Sequence, residues 1–154
     1  MGIGYKDSVV VYNRYISGLM ENEQYFGTRF DNARVELTQG ANQKTSGMED
    51  VSACTVKIPN VDLPKPYKAP EVWNKLAAEE KLENFTLDTK GRNFFIIVMK
   101  EELGINIDVP VGLVEGKENQ NGFFEHIKEK YGYAFSVDTV DVYNLIPRFE
   151  IGGK

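Results

Sequence analysis

Histidine and cysteine, on which many active sites depend, occur only once each in this 154-residue chain. His126 alone cannot supply the two-histidine spacing of a zinc helix, and no Gly-x-Ser-x-Gly nucleophile motif accompanies it. Cys54 alone cannot form an internal disulfide, and its alternating apolar surroundings favour a buried strand position over a reactive thiol. The sequence therefore predicts a protein that is not an enzyme and uses no metal or other cofactor.

Phosphate-binding glycine motifs and long apolar runs are also missing. None of the 14 glycines lies in a Walker loop or a dinucleotide-binding turn, and no stretch has the length of a membrane span or a secretory signal. The formal net charge of −5 indicates that the chain lacks the basic face with which proteins grip nucleic acid. We expect a chain that is made in the cytoplasm, binds no membrane, and meets DNA only transiently and without sequence preference.

Acidic side chains are the remaining candidates for catalytic groups. Clusters occur at Glu49 and Asp50, at Glu101 and Glu102, and at Asp138 with Asp141. None has a diagnostic spacing, and in a chain with 23 acidic residues such pairs arise by chance and usually mark solvated faces. A carboxylate-dependent hydrolase, acting for example on cell-wall sugars, is therefore the weakest of the functional hypotheses.

Patterns typical of β-strands dominate the sequence. Strands are predicted at 8–14, 25–30, 34–38, 54–58, 85–87, 94–99, 104–116, 135–142 and 148–151. The segment 94–99 is apolar on both faces, which is typical of a central strand. Pro110 restricts 104–116 to an edge or irregular strand.

Two helices are predicted, at about residues 70–82 and 122–131. Pro70 suits the first turn of the former, and Gly132 suits the end of the latter. The expected fold class is α+β, mainly β: a single domain over residues 1–154 that forms a small β-barrel or sandwich-like structure with two short helices.

A long polar loop is predicted at residues 39–52, between two strands. Only Ala41, Met48 and Val51 are apolar in this segment. Loops of this length are either functional projections or mobile solvent loops, and composition alone favours neither.

Three segments together carry a resemblance to a known family. They are Tyr-Lys-Asp-Ser-Val-Val-Val-Tyr-Asn-Arg-Tyr at 5–15, residues 67–73 followed by Asn-Phe-Thr-Leu at 84–87, and residues 130–140 with Leu-Ile-Pro-Arg-Phe-Glu-Ile-Gly-Gly at 145–153. In these segments the chain resembles small phage and prophage proteins of Gram-positive bacteria, described as minor capsid or head-tail connector proteins. It departs from the family pattern at 88–93, where a Gly-Asp turn is usual, and at 148–149, where His-Trp is common.

The resemblance implies a virion protein that forms a homo-oligomeric ring, expected to be a hexamer, at the head-tail interface. The head-closure or stopper ring is the first hypothesis, and a tail terminator or a collar or neck subunit is the alternative. The implied partners are the portal or adaptor ring on one side and the tail terminator or tail tube on the other. Assembly would take place in the cytoplasm of the host bacterium.

In such connector proteins a loop between two core strands can project into the channel and obstruct DNA exit. The resemblance therefore makes 39–52 the candidate channel-facing loop of this chain. Its candidate residues are Gln39, Asn42, Gln43, Lys44, Thr45, Ser46, Glu49 and Asp50.

Overall fold

Eight strands and three short α-helices make up the described part of the chain. The computed structural model describes residues 5–17, 22–39, 51–90, 92–115, 122–143 and 147–154. The strands are β1 (Asp7–Ser17), β2 (Asn22–Gln39), β3 (Val51–Pro59), β4 (Phe94–Lys100), β5 (Ile105–Asn106), β6 (Gly112–Glu115), β7 (Ala134–Tyr143) and β8 (Arg148–Gly153). The helices are α1 (Pro70–Asn74), α2 (Ala78–Glu83) and α3 (Phe123–Tyr131). This is the α+β, mainly β class that the sequence predicts, and α3 confirms the helix predicted at 122–131.

Six strands pair into a closed ring. The order is β1-β2-β3-β8-β7-β4, with β4 pairing back to β1, and every pair is antiparallel. Two sheets share the long strands β2 and β7: the first contains β1 and β4, and the second contains β3 and β8. The short strands β5 and β6 pair with β4 and β2, respectively.

The two shared strands change sheets at irregularities in their register. The β1–β2 register shifts between Asp7 and Val9, and the β7–β8 register shifts between Val137 and Thr139. An extra residue on one strand bends it and increases its twist, so the strand can leave one sheet and enter the next. The prediction of two separate strands at 25–30 and 34–38 is therefore wrong, because both segments belong to one continuous strand of 18 residues.

Two apolar clusters explain why β4 is apolar on both faces. One lies inside the ring of strands and includes Val9, Val11, Phe95 and Ile97. The other lies on the outer face of the first sheet, where α3 and the segment 107–114 cover it; it includes Val10, Tyr12, Phe94, Ile96, Phe123 and Ile127. Alternate residues of β1 and β4 thus face opposite clusters, and β4 is central, between β1 and β7, as predicted.

Residues 70–82 form two helices instead of the single helix predicted. Lys81 is buried, and its amine donates hydrogen bonds to the backbone oxygens of Asn74, at 3.1 Å, and Leu76. It also lies 4.0 Å from the centre of the Tyr15 ring. Because carbonyls at the end of a helix lack intrahelical donors, Lys81 stabilises the break after α1. No helix in the described segments has both the length and the apolarity needed to cross a membrane.

Candidate functional site

The predicted loop is carried by the β2–β3 hairpin. Paired residues run from Arg34 with Lys57 to Gln39 with Val51. Gln39, Val51 and Ser52 therefore belong to strands, and the prediction that the loop spans all of 39–52 is wrong at both ends. Backbone pairing continues past the apolar alternation because ladder hydrogen bonds need no apolar side chains. The remaining candidate channel-facing residues, Asn42, Gln43, Lys44, Thr45, Ser46, Glu49 and Asp50, lie outside the described residues.

The hairpin extends beyond the strand beside it. β8 reaches Gly153, which lies opposite Cys54 of β3. The β2–β3 ladder continues from there through the pairs Thr38 with Ala53 and Gln39 with Val51. The hairpin thus projects past the end of β8 in the direction of the predicted loop.

A buried ion pair fixes the base of this hairpin. The Asp7 carboxylate accepts a hydrogen bond from the Val35 N–H at 2.8 Å, and the Lys100 amine donates to the Val35 carbonyl at 3.0 Å. The two side chains also lie 3.3 Å apart. β2 leaves the β1 ladder just before Val35, so the backbone groups of this residue would otherwise have no partner. Side chains from β1 and β4 therefore hold β2 where the hairpin begins.

The inner face of the hairpin belongs to the core. Val35, Cys54 and Val56 are buried there, and burial raises the pKa of the Cys54 thiol to about 12. A thiol with such a pKa forms little thiolate at neutral pH and is a poor nucleophile. This placement agrees with the sequence interpretation of Cys54 as a strand residue.

The outer face of the second sheet carries an ordered row of charges. Strand register places Arg34, Lys57, Glu150 and Asp141 side by side across β2, β3, β8 and β7. Two cations therefore occupy one side of the sheet and two anions the other. Glu36, two residues further along β2 on the same face, contacts both cations, at 3.3 Å from Arg34 and 3.5 Å from Lys57.

Two of the three acid clusters considered for catalysis are described by the structure, and both are solvated. Glu102 lies 3.1 Å from the Lys6 amine, and hydrogen bonds from its own backbone and from Lys6 lower its pKa. This is the opposite of what a general acid requires. Asp138 and Asp141 are exposed, and Asp138 lies 3.6 Å from the Lys154 amine. The pair Glu49 and Asp50 lies outside the described residues.

His126 and the described acids do not assemble into a metal site. His126 is exposed on α3. Within the described part of the chain, no group of three or more His, Cys, Asp or Glu side chains is placed to hold a metal ion.

A cleft of about 460 Å³ beside α3 was not anticipated from the sequence. Acidic and basic side chains line it together, among them Glu23, Lys90, Arg92 and Glu125. They come from segments far apart in the chain, so no local motif could have pointed to the cleft. Its mixed charge favours neither an anionic nor a cationic ligand.

The three segments on which the sequence-based hypothesis of a connector protein rests pack against one another. Asn13 donates a hydrogen bond to the Thr86 carbonyl at 2.6 Å and accepts one from the Thr86 N–H at 3.1 Å. Tyr67 and Phe85 form a parallel β-bridge, so 85–87 is not the strand predicted. Their rings lie 4.9 Å and 5.8 Å, centre to centre, from the ring of Phe149. Residues from the start, middle and end of the chain therefore form one packed unit.

Residues 5–154 match the model of a family described as "Family of unknown function (DUF6751)". No curated protein and no solved structure matches the chain.

Proposed function

The chain belongs to DUF6751, a family of unknown function, and we propose that it is a structural virion protein of a tailed phage or phage-tail-like particle. In this proposal, copies of the chain form a ring, expected to be a hexamer, at the head-tail interface, and the ring closes the filled head. Its neighbours are the portal or adaptor ring on one side and the tail terminator or tail tube on the other.

The packing of the three resembling segments carries this proposal. A chance likeness in separate segments would not require them to touch. Here Asn13 and Thr86 bond to each other, and the rings of Tyr67 and Phe85 pack on Phe149. The residues that carry the resemblance therefore belong to one packed unit of the fold and are not scattered over the surface.

The projecting hairpin supports the assignment to a head-closure ring. Its base is held by Asp7 and Lys100, and its strand pairs continue past the end of β8 as far as Gln39 and Val51. A strand-paired hairpin that leads into a polar segment is suited to a channel through which DNA passes. Six copies at −5 each would give the ring a charge of about −30, which would let DNA slide without adhering.

Electron microscopy of intact particles tests the location. We expect ring density that fits this chain between the portal and the tail, and its loss from particles made without the gene. Density at the far end of the neck would favour the tail terminator or collar alternative. Absence of the chain from purified particles would contradict the proposal that it is a virion protein.

Shortening the hairpin tests the channel assignment. Replacing residues 42–49 with a short Gly-Ser linker is expected to leave the domain folded but to make filled heads release their DNA. The measurement is nuclease-protected DNA per particle, with circular dichroism of the purified variant as the check on folding. A full-length variant with Gly and Ser at the same positions separates loop length from side-chain chemistry. Normal DNA retention in the shortened variant would contradict the proposal that this loop obstructs DNA exit through the channel.

A further inference from the structure

We propose that neighbouring copies in the ring meet through opposite sides of the second sheet, with Arg34 of one copy facing Asp141 of the next. The inference rests on the proposed ring and names the surface that joins its subunits. Side chains on the outer face make this junction; a continuous backbone ladder does not.

In the described part of the chain, neither side of the sheet pairs with a further strand where the junction is placed. Within the described residues, 34–39 of β2 pair with β3 alone, because the β1 pairing ends at Ala33. Residues 139–143 of β7 pair with β8 alone, because the β4 pairing ends at Ser136. Open sheet edges are natural places for another chain to approach.

The backbone at one of these edges is already occupied. Asp7 and Lys100 bond to the N–H and carbonyl of Val35. A neighbouring strand could not extend the ladder there without displacing them. For this reason the junction is assigned to side chains of the outer face.

The order of strands makes the two open sides compatible. The sheet has four strands, β2, β3, β8 and β7, and each is antiparallel to the next. A rotation about an axis parallel to the strands keeps the same face outward and brings β7 of one copy beside β2 of the next. Such a contact joins two different surfaces, which is the arrangement that generates rings.

The charges at these two sides are complementary. Arg34 and Asp141 occupy the two ends of one cross-strand row, and both are exposed. Repetition of the row around a ring places the anionic end of each copy against the cationic end of the next. The Arg34 pair with Glu36 is itself solvent-exposed and costs little to rearrange.

Paired charge reversals test this junction. R34E alone and D141K alone should each place like charges at every junction, and we expect at least about a tenfold loss of chain incorporated per particle. Co-expression of the two variants creates rings in which copies alternate and every junction is again complementary, so incorporation should return to near the wild-type amount. The double variant R34E/D141K should likewise assemble by itself.

Matched controls make the result specific. K75E and E79K change charge by the same amounts on exposed residues outside the row, and both should assemble normally. Normal incorporation of either single variant, or no recovery on co-expression, would overturn the junction. Recovery on co-expression also excludes misfolding as the cause of the losses. If the wild-type chain itself is absent from particles, the proposed function fails instead.

Discussion

Replacing Asn13 with alanine is expected to lower the free energy of unfolding by about 3–5 kcal/mol. Asn13 is fully buried and makes three hydrogen bonds: two with the backbone of Thr86 and one, at 2.8 Å, with the side-chain oxygen of Asn93. Alanine would leave the Thr86 N–H and carbonyl without these partners in the interior. A buried group that loses its hydrogen bond costs more than the bond contributed.

Denaturation by urea measures this loss, with fluorescence of the single tryptophan, Trp73, as the signal. Trp73 is buried, so its emission reports on unfolding of the surrounding core. Asn84→Ala is the matched control, because the Asn84 amide makes an exposed hydrogen bond to the Glu80 carbonyl. We expect a change of less than about 0.5 kcal/mol for this control. A loss below about 1 kcal/mol for N13A would show that the three bonds do not stabilise the fold as inferred.

Replacing Lys100 with methionine is expected to destabilise the fold by about 3–5 kcal/mol. Methionine retains most of the apolar stem of lysine, but the Asp7 carboxylate would remain buried without a cation. The Val35 carbonyl would also lose its donor. An uncompensated buried charge is among the most costly changes that a core can undergo.

A double-mutant cycle separates the ion pair from the loss of packing. Adding Asp7→Asn to K100M removes the stranded charge, so the double variant should be less destabilised than the sum of the two single variants. Lys6→Met serves as the control, since Lys6 pairs with Glu102 at the surface and its loss should leave the free energy of unfolding nearly unchanged. Additive effects of D7N and K100M would contradict the assignment of Asp7 and Lys100 as one coupled unit.

Much of the fold could be predicted because its signals are local. The strand 94–99 and the helix 122–131 have apolar patterns long enough to identify them, and each reappears at nearly the same bounds. Residues 70–82 show where prediction from a local apolar pattern fails. Their apolar spacing suits one helix, but the bonds from Lys81 to Asn74 and Leu76 favour a break.

The candidate site could be predicted only in part, because its geometry depends on contacts between residues that are far apart in the sequence. Composition alone locates the polar segment 39–52, although its strand-paired ends depend on the β2–β3 register. Asp7 and Lys100 are 93 positions apart, and no sequence pattern around either residue indicates that they contact each other. Glu101 and Glu102, which form a conspicuous acid pair in the sequence, lie in solvent.

The sequence by itself determined the mainly β class, the scarcity of catalytic side chains and the position of the polar segment, because composition and short-range periodicity encode these properties. Only the tertiary structure decided that β2 bends from one sheet into another and that Asp7 and Lys100 hold the hairpin base. It alone aligned the cations of β2 and β3 with the anions of β8 and β7. These features depend on strand register and on contacts between distant residues, which are set by how the whole chain buries its apolar surface.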